Sequence, residues 1–268
     1  MPEELILAID TGNTHTVLGC IRSNGKISPT LRMETNSSHT EYEYAADMSR
    51  ILELEGVDPK SFTGSIISSV VPSMNETLKR AVRLITGLDA IVVGAGVKTG
   101  LDIGLDDSGT IAADLVATAV AAKEFYELPC FIIDMGTATT VTVVNEKGRY
   151  MGGAIYPGVG ISLNALVQET SLLPDISVEP PKKAVATNTV DAMKSGMFYS
   201  TVGGLDGILD IFEKEFGQAK SIVATGGLAG RIAPYCRHSI KLADDLLLSG
   251  LDVIYHKNCS ESRNKKKR

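Results

Sequence analysis

Long apolar runs and an excess of basic residues are both missing from this chain. No run approaches the ~18–20 apolar residues that a membrane-spanning helix needs. The N-terminus also lacks the basic and apolar regions of a signal peptide. The net charge is −6, which argues against a nucleic-acid-binding surface. We therefore expect a cytoplasmic protein that binds neither membranes nor nucleic acids.

Closely spaced metal ligands are missing as well. The 4 cysteines include no C-x-x-C pair, which argues against the usual zinc sites and small disulfide frameworks. Cys20 and Cys130 lie in apolar runs and are expected to be buried thiols. The 4 histidines show no metal-ligand spacing. The sequence also contains no P-loop and no G-x-G-x-x-G after a strand, so P-loop and Rossmann proteins are not indicated.

What the sequence does contain is one short segment twice. Residues 5–17 read LILAIDTGNTHTV, and residues 131–141 read FIIDMGTATTV. An ungapped alignment matches Asp10 with Asp134, Gly12 with Gly136, Thr16 with Thr140 and Val17 with Val141. A repeated strand, Asp-x-Gly turn and returning strand predicts two similar lobes facing each other across a cleft. Proteins of the actin, Hsp70 and sugar-kinase class bind ATP in such a cleft.

The residue types in the repeat suit a nucleotide. An Asp at the end of an apolar strand can hold Mg²⁺ directly or through water. Gly allows a tight turn and a close approach to phosphate. Thr, Asn and exposed N–H groups donate hydrogen bonds to phosphate oxygens. Two hairpins with ordinary polar turns are the alternative, and the matching flanks favour the phosphate site.

The hydrophobic pattern predicts an α/β protein with two duplicated ribonuclease H-like lobes, the actin-like ATPase fold. The lobes are placed at residues 1–116 and 117–258, followed by a disordered basic tail at 259–268. Strands are predicted at 4–10, 15–21, 27–34, 64–71, 90–93, 130–135, 139–145, 149–155 and 221–224. Helices are predicted at 40–55, 74–86, 110–126, 159–169, 189–216, 228–235 and 244–257, and a loop at 94–109.

Local signals accompany two of these helices. Thr40 is expected to cap helix 40–55, with Glu43 three residues on. Its apolar positions are Tyr44, Met48, Ile51, Leu52 and Leu54. Thr189 is most simply explained as the N-cap of helix 189–216.

Two glycine-rich segments are further candidates. Thr225-Gly226-Gly227 follows an apolar strand. It could let the backbone approach adenine or ribose, or simply connect a strand to a helix. Residues 152–158, GGAIYPG, are interpreted as a phosphate-binding or hinge loop in which Gly158 and Gly160 open a helix. The alternative is a flexible connection between lobes.

Asp114 lies in an otherwise apolar run, IAADLVA, at residues 111–117. A carboxylate in such a run is costly to bury unless it is paired or used. It could accept the proton of a hydroxyl that attacks the γ-phosphate. It could equally be an acidic residue in a first helical turn, favoured by the helix dipole. The residues alone leave both open.

Taken together, six motifs resemble those of the type III pantothenate kinase family over residues 4–257. They are Asp10-Thr-Gly-Asn-Thr14, Lys98-Thr-Gly-Leu101, Asp134-Met-Gly-Thr-Ala-Thr139, Gly152-Gly-Ala-Ile-Tyr-Pro-Gly158, Asn188 to Gly196, and Thr225-Gly-Gly227. The resemblance implies ATP-dependent phosphorylation of pantothenate, the first step of coenzyme A synthesis. It also implies Mg²⁺, a monovalent cation such as K⁺ or NH₄⁺, and a homodimer.

The resemblance also implies roles for single residues. ATP would contact Asp10, Thr11, Gly12, Asn13, Thr14, Thr137, Gly226 and Gly227. Asp10 would also hold Mg²⁺, directly or through water, and Asp134 the monovalent cation. Asp114 would be the catalytic base. Pantothenate would contact Thr189, from the partner subunit, and the positions of Leu105, Ala112, Ala113, Asp114 and Leu115.

Departures from the family pattern fall on the pantothenate side. The family's Gly-Ala-Asp-Arg is here Ala112-Ala113-Asp114-Leu115, and its Tyr before Asp-Asn-Pro is Leu105. Losing a guanidinium that faces a carboxylate removes a contact worth ~1.5–3 kcal/mol. Lys98 or Arg149 could replace it. Two alternatives stay open: another small hydroxyl substrate, or a non-catalytic nucleotide-binding regulatory dimer.

Overall fold

The structure, a computed structural model, describes residues 4–265, but not the side chains of Ser108 and of residues 260–265. The strands of this part are β1 (Leu5–Thr11), β2 (His15–Arg22), β3 (Ile27–Glu34), β4 (Gly64–Ser69), β5 (Ile91–Val92), β6 (Asp102–Ile103), β7 (Cys130–Met135), β8 (Ala138–Val144), β9 (Arg149–Pro157), β10 (Ser221–Thr225) and β11 (Lys241–Leu242). Its helices are α1 (Glu41–Leu54), α2 (Asn75–Thr86), α3 (Ala113–Phe125), α4 (Val159–Gln168), α5 (Thr189–Phe216), α6 (Ala229–Ile232) and α7 (Leu246–Lys265).

By their contacts these residues form two units, and both are discontinuous in sequence. Unit 1 comprises the described residues up to Leu101, then Asp107–Ala121 and the segment from Asp245 onward. Unit 2 comprises Asp102–Asp106 and Ala122–Asp244. The lobes predicted from the sequence are continuous segments, whereas here the last helix belongs to the first unit.

The sheet of unit 1 has the order β3-β2-β1-β4-β5. Strands β1, β2 and β3 are antiparallel, while β4 and β5 run parallel to β1. Because strand side chains alternate, the two faces of β1 enter different cores. Leu7 and Ile9 pack with α1 and α2, and Ile6 and Ala8 pack with α3 and α7. Asp10 lies on the same face of β1 as Ile6 and Ala8, at the carboxyl end of the strand.

The sheet of unit 2 has the order β11-β10-β7-β8-β9-β6. Its central strands repeat the pattern of unit 1, with β7-β8-β9 antiparallel and β10 parallel to β7. Phe131 and Ile133 of β7 pack with Phe198 and Leu205 of α5. Asp134 lies on the other face, at the carboxyl end of β7, as Asp10 does on β1.

The structure extends the repeat and corrects its alignment by one residue. Asp10 pairs with Val17, whereas Asp134 pairs with Thr140, so the second turn is shorter. Thr140 therefore corresponds to Val17, and the counterpart of Thr16 is Thr139, which is equally buried. With this shift, the irregularity between Gly19 and Ile21 coincides with that between Thr142 and Val144. The next turns also match, each with a glycine at positive φ, Gly25 and Gly148.

Several predicted element bounds need correction. The loop at 94–109 contains β6, and β11 was not predicted. Helix 110–126 begins at Ala113, because residues 108–110 form a 3₁₀ turn. Helix 244–257 is Leu246–Lys265, so most of the expected disordered tail is helical, and residues 266–268 lie outside the described part. On α1, Tyr44, Met48 and Leu52 are buried as expected, but Leu54 is 76% exposed.

Helix α7 packs into unit 1 through close contacts that depend on glycine. A Cβ on Gly250 would collide with the main-chain oxygen of Ala117 in α3. A Cβ on Gly64 would collide with the hydroxyl of Tyr255, and one on Gly19 would lie 2.7 Å from Leu248 Cδ1. These contacts hold α7 against both α3 and the sheet. None of the helices described is both long and apolar enough to cross a membrane.

Candidate functional site

The first Asp-x-Gly turn closes between β1 and β2. The N–H of Gly12 donates to the main-chain oxygen of His15 at 2.9 Å, and the N–H of Thr35 donates to that of Thr14 at 2.9 Å. Asn13 and Thr14 are exposed, whereas Thr11 is buried beside Thr16. The turn therefore presents an amide and a hydroxyl to solvent next to the half-buried Asp10.

The second turn has the same construction in a shorter form. The N–H of Gly136 donates to the main-chain oxygen of Ala138 at 3.1 Å, and the N–H of Gly158 donates to that of Thr137 at 3.1 Å. Residues 136–138 are exposed, and Asp134 is half-buried. Thr137 is thus placed at the tip of its turn, where its hydroxyl can reach a ligand.

Each aspartate has a hydroxyl residue opposite it on the neighbouring parallel strand. Asp10 pairs with Ser68 of β4, and Asp134 pairs with Thr225 of β10. Ser68 was not predicted as a site residue, because serine at a strand end carries no signal of its own. Only the strand pairing shows that it stands beside Asp10.

Gly226 is required by the backbone of unit 2. Its φ is 96°, and a Cβ there would lie 2.6 Å from the main-chain carbon of Met135 at the end of β7. The backbone that Gly226 approaches closely is therefore that of β7 in its own unit. A Cβ on Gly227 would meet none of the described atoms within 4 Å. Gly227 therefore leaves open space beside the turn.

The segment 152–158 is not the loop that its glycines predicted. Residues 152–157 lie in strand β9, which was predicted at 149–155 and ends at Pro157, and Gly158 follows the strand. A Cβ on Gly153 would collide with the main-chain oxygen of Val141, and one on Gly158 with the main-chain oxygen of Thr137. These two glycines allow close packing on the neighbouring strand and turn. Gly158 is also the N-cap of α4.

Asp114 lies in the first turn of α3 and is half-buried. Burial raises its pKa, although the N–H of Leu115 donates to its Oδ1 at 2.7 Å and opposes that change. The Thr118 hydroxyl donates to its main-chain oxygen at 3.0 Å, which fixes the first turn. A carboxylate whose pKa is raised is a stronger proton acceptor in its ionised form.

The positions predicted for pantothenate fall in both units. Ala112, Ala113 and Leu115 are half-buried around Asp114 in unit 1, and Leu105 is half-buried in unit 2. A Cβ on Gly152 would lie 3.0 Å from Cδ2 of Leu105. Asp10 is paired with Ser68 within unit 1, and Asp134 is paired with Thr225, the residue before Gly226, within unit 2.

Thr189 is exposed at the start of α5 but is not its N-cap, which corrects the prediction. The cap is Asn188, whose side chain accepts from the N–H of Asp191 at 2.9 Å. The Thr189 hydroxyl is therefore not required as the cap of α5.

The two candidate replacements for the family's arginine lie in different surroundings. Arg149 Nε is 3.3 Å from Oδ2 of Asp102, an ion pair that joins β9 to β6. The main chain of Lys98 is held by the side-chain amide of Asn258, which both donates and accepts at 3.0–3.1 Å. Arg149 already has a carboxylate partner, so releasing it for a substrate would cost that ion pair.

Carboxylate oxygens at strand ends are suitable Mg²⁺ ligands. Within residues 4–265, no group of three or more His, Cys, Asp or Glu side chains could hold a metal ion. Mg²⁺ commonly binds one or two carboxylates together with nucleotide phosphates and water. Asp10 fits that kind of site, because it is half-buried and next to the exposed residues Asn13 and Thr14 of its turn.

Comparison with known proteins identifies relatives over nearly the whole chain. The family model described as type III pantothenate kinase matches residues 6–210. The type III pantothenate kinase of Koribacter versatilis is 40% identical, covering 97% of this chain and 98% of its own. That of Halalkalibacterium halodurans is 39% identical, covering 95% of this chain and 100% of its own.

Solved structures show the fold at much lower identity. The activator of the 2-hydroxyisocaproyl-CoA dehydratase from Clostridium difficile has a TM-score of 0.54 at 12% identity and covers 97% of both chains. A ROK family glucokinase from Streptomyces griseus has a TM-score of 0.53 at 13% identity and covers 94% of this chain and 98% of its own. The chain has the actin-like ATPase fold, as its repeat predicted.

Proposed function

The chain belongs to the type III pantothenate kinase family, and we propose that it phosphorylates pantothenate with ATP to give 4'-phosphopantothenate. This reaction is the first step of coenzyme A synthesis. The observation that carries the proposal is the full-length similarity to two enzymes of that name, at 39–40% identity. The paired Asp-x-Gly turns at equivalent strand ends support it, because they supply the groups that phosphate needs.

Asp114 is proposed as the general base. The hydroxyl oxygen of pantothenate attacks the γ-phosphorus, the bond from that phosphorus to the bridging oxygen breaks, and ADP leaves. The hydroxyl proton passes to the Asp114 carboxylate. Such transfers depend mainly on positioning and on neutralising phosphate charge, so the base has only to hold and accept one proton.

The phosphate contacts are proposed for the two turns. In the first turn the exposed residues Asn13 and Thr14 offer a side-chain amide and a hydroxyl, and the exposed Thr137 of the second turn offers another hydroxyl. Gly226 and Gly227 are proposed to border the nucleotide, with Gly227 leaving the space. Asp10 would hold Mg²⁺, directly or through water, and Asp134 the monovalent cation, K⁺ or NH₄⁺. Mg²⁺ would supply charge neutralisation on the phosphate oxygens.

A homodimer is also part of the proposal, and α5 offers a surface for it. Phe198, Leu205 and Leu209 bury one face of this helix. On the opposite face, a Cβ on Gly196, Gly203 or Gly207 would meet none of the described atoms within 4 Å. Tyr199, 46% exposed, and Ile211, 58% exposed, flank these glycines. Small residues beside exposed apolar ones suit a close helix pair between two copies.

Changing Gly203 to Arg tests this surface. An exposed helical glycine is unfavourable by roughly 0.5–1 kcal/mol relative to alanine, so a longer side chain there should not unfold the monomer. By light scattering, we expect the wild-type protein to have twice the chain mass of 28.5 kDa. The Gly203→Arg variant should have the mass of a single chain. Gly94→Arg, a loop glycine whose Cβ also meets none of the described atoms within 4 Å, is the control. A Gly203→Arg dimer would contradict this interface.

The catalytic proposal is tested by product formation. Purified protein is incubated with ATP, Mg²⁺, K⁺ and pantothenate, and phosphopantothenate is measured by mass spectrometry. We expect product with wild type and none with Asp114→Asn.

The four cysteines are all free thiols, which is compatible with the cytoplasmic location we propose.

A second candidate is a kinase for another small hydroxyl compound, and the departures at Leu105 and Leu115 motivate it. A substrate without a carboxylate would not need the missing guanidinium. A panel of hydroxy acids and amides, assayed for ADP release, separates the two. Pantothenate as the best substrate excludes this second candidate. ATP binding with no turnover on any compound would support the non-catalytic dimer instead.

A further inference from the structure

Strand β4 carries two serine hydroxyls that are buried without a hydrogen-bond partner among the described residues. Ser65 is 1% exposed and Ser68 is 0% exposed, and the Oγ of each is unsatisfied. A buried hydroxyl that makes no hydrogen bond lowers stability, so each such group in a native structure needs a reason. The two serines differ in what lies beside them.

Ser68 stands directly next to Asp10. Their Cα atoms are partners in the parallel pairing of β4 with β1, and side chains of paired residues lie on the same face of a sheet. This face carries Ile6, Ala8 and Ile66, which pack with α3 and α7. The hydroxyl of Ser68 is therefore buried beside the half-buried carboxylate that begins the first turn.

Ser65 lies on the opposite face and near the other end of the same strand. Its partner on β1 is Leu7, which packs with α1 and α2. None of the proposed site residues lies beside it on β1. The strand thus supplies its own control, because one buried hydroxyl adjoins the proposed site and the other does not.

We propose that Ser68 is a positioning residue for Asp10 in the phosphoryl transfer reaction. The proposal rests on the proposed kinase function. When Asp10 engages Mg²⁺ and the ATP phosphates, the Ser68 hydroxyl donates a hydrogen bond to its carboxylate. That bond fixes the orientation of the carboxylate and leaves its remaining lone pairs for the ligand. The hydroxyl, unsatisfied in the free protein, gains its partner in the loaded one.

This role predicts opposite effects of one substitution on two properties. Ser68→Ala removes an unsatisfied hydroxyl, so the free protein should melt roughly 2–4 °C higher. The same change should lower kcat/KM for ATP about 10-fold or more, because a hydrogen bond to a charged group is lost. It should also shrink the rise in Tm that Mg²⁺ with a non-hydrolysable ATP analogue produces. A merely structural serine would not lose activity while gaining stability.

The test compares Ser68→Ala with Ser65→Ala, first without ligand and then with the Mg²⁺–analogue complex. Both variants should gain stability in the free protein, and only Ser68→Ala should lose ligand-induced stabilisation and activity. Asp10→Asn is added alone and combined with Ser68→Ala. Because Ser68 acts through the ionised carboxylate, Ser68→Ala should cost little further analogue-induced Tm rise or residual activity in that background.

The outcomes separate this inference from the proposed function. If wild type phosphorylates pantothenate and Ser68→Ala matches it in kinetics and ligand-induced Tm, the positioning role is overturned and the kinase stands. Equal losses in both serine variants overturn it too. If wild type forms no phosphopantothenate, but the analogue stabilises Ser65→Ala more than Ser68→Ala, the role of Ser68 stands and the choice of substrate falls.

Discussion

At the scale of single residues, burial decides how the cysteine thiols behave. Burial raises the pKa of Cys20 to about 11 and that of Cys130 to about 12, and both residues are 0% exposed. A thiol reacts as its thiolate, so these groups should be inert at neutral pH. This matches their expected role as buried members of apolar strands.

We expect neither Cys20 nor Cys130 to react with iodoacetamide at pH 8 in the folded protein, and both to react in concentrated urea. Peptide mass spectrometry after each treatment gives the extent of alkylation site by site. The urea sample controls for peptide recovery. Modification of either thiol in the native sample would mean that its strand opens far more often than a central strand should.

The two adjacent glycines after β10 should respond differently to alanine. Gly226→Ala introduces a side chain at φ 96° and 2.6 Å from the main chain of Met135, so we expect a loss of roughly 1–3 kcal/mol or more in the free energy of unfolding. The Cβ that Gly227→Ala adds meets none of the described atoms within 4 Å, so this substitution should change the free energy of unfolding little. Urea unfolding followed by circular dichroism measures both. Equal urea midpoints for the two variants would contradict the close approach of Gly226 to Met135.

How far the site could be predicted from the sequence differs from residue to residue. The equivalent positions of Asp10 and Asp134 at two strand ends were predictable, because a repeated apolar run ending in Asp-x-Gly is visible in the sequence alone; their roles stay predictions. The one-residue shift was not, because Thr139 and Thr140 are identical and either could match Thr16. The position of Ser68 beside Asp10 was not predictable either, since it results from pairing with a strand more than fifty residues away.

At the scale of elements, hydrophobic periodicity predicted most helices and strands, and short-range chemistry decided their ends. The Thr40–Glu43 capping box forms as predicted, and Gly87 ends α2 in the left-handed conformation. At α5, Asn188 and Thr189 are adjacent and both favour N-caps, so sequence could not choose between them. The two-residue strands β6 and β11 are too short to show a period.

Two glycines inside helices should respond to alanine with opposite signs. Gly204 lies in α5, and its Cβ would meet none of the described atoms within 4 Å, so Gly204→Ala should stabilise by roughly 0.5–1 kcal/mol through helix propensity. Gly250 lies in α7, where a Cβ would collide with the main-chain oxygen of Ala117. Gly250→Ala should therefore destabilise, despite the same gain in propensity.

Chemical denaturation of both variants beside wild type provides the measurement. The comparison is internal, because the substitution is identical and only the surroundings differ. Stabilisation by both alanines would show that α7 does not approach α3 as closely as the structure has it.

At the scale of the whole molecule, α7 contacts the residue that precedes β1. His256 of α7 is 3.4 Å from Oε2 of Glu4 through Nε2, and its Nδ1 donates to the main-chain oxygen of Asp252. Burial lowers the pKa of His256, but the bond to Asp252 and the two carboxylates outweigh it, so the pKa is raised above 6.5. The return of α7 to unit 1 was not predictable, because only tertiary contacts specify it.

Stability should therefore depend on pH through His256. A raised histidine pKa contributes stability that is fully present below the unfolded pKa of about 6.5 and is lost as the pH rises through the folded value. We expect the urea midpoint of wild type to fall between pH 6 and pH 8 by more than that of His256→Gln. Titrating groups that do not contact His256 are common to both proteins and cancel in this comparison. Parallel pH profiles would rule out the contribution.

The glycine-dependent docking of α7 also means that unit 1 can be completed only after unit 2 has been synthesised. Ala117 and the sheet of unit 1 precede most of unit 2 in sequence, but α7, the helix that covers them, follows it. Unit 2, which lies almost wholly between residues 122 and 244, can complete its core first. A nascent chain thus carries a half-covered sheet until α7 has been synthesised, and loss of the turns of α7 that contain Leu248 and Leu251 would uncover Ile6 and Ala8 of β1.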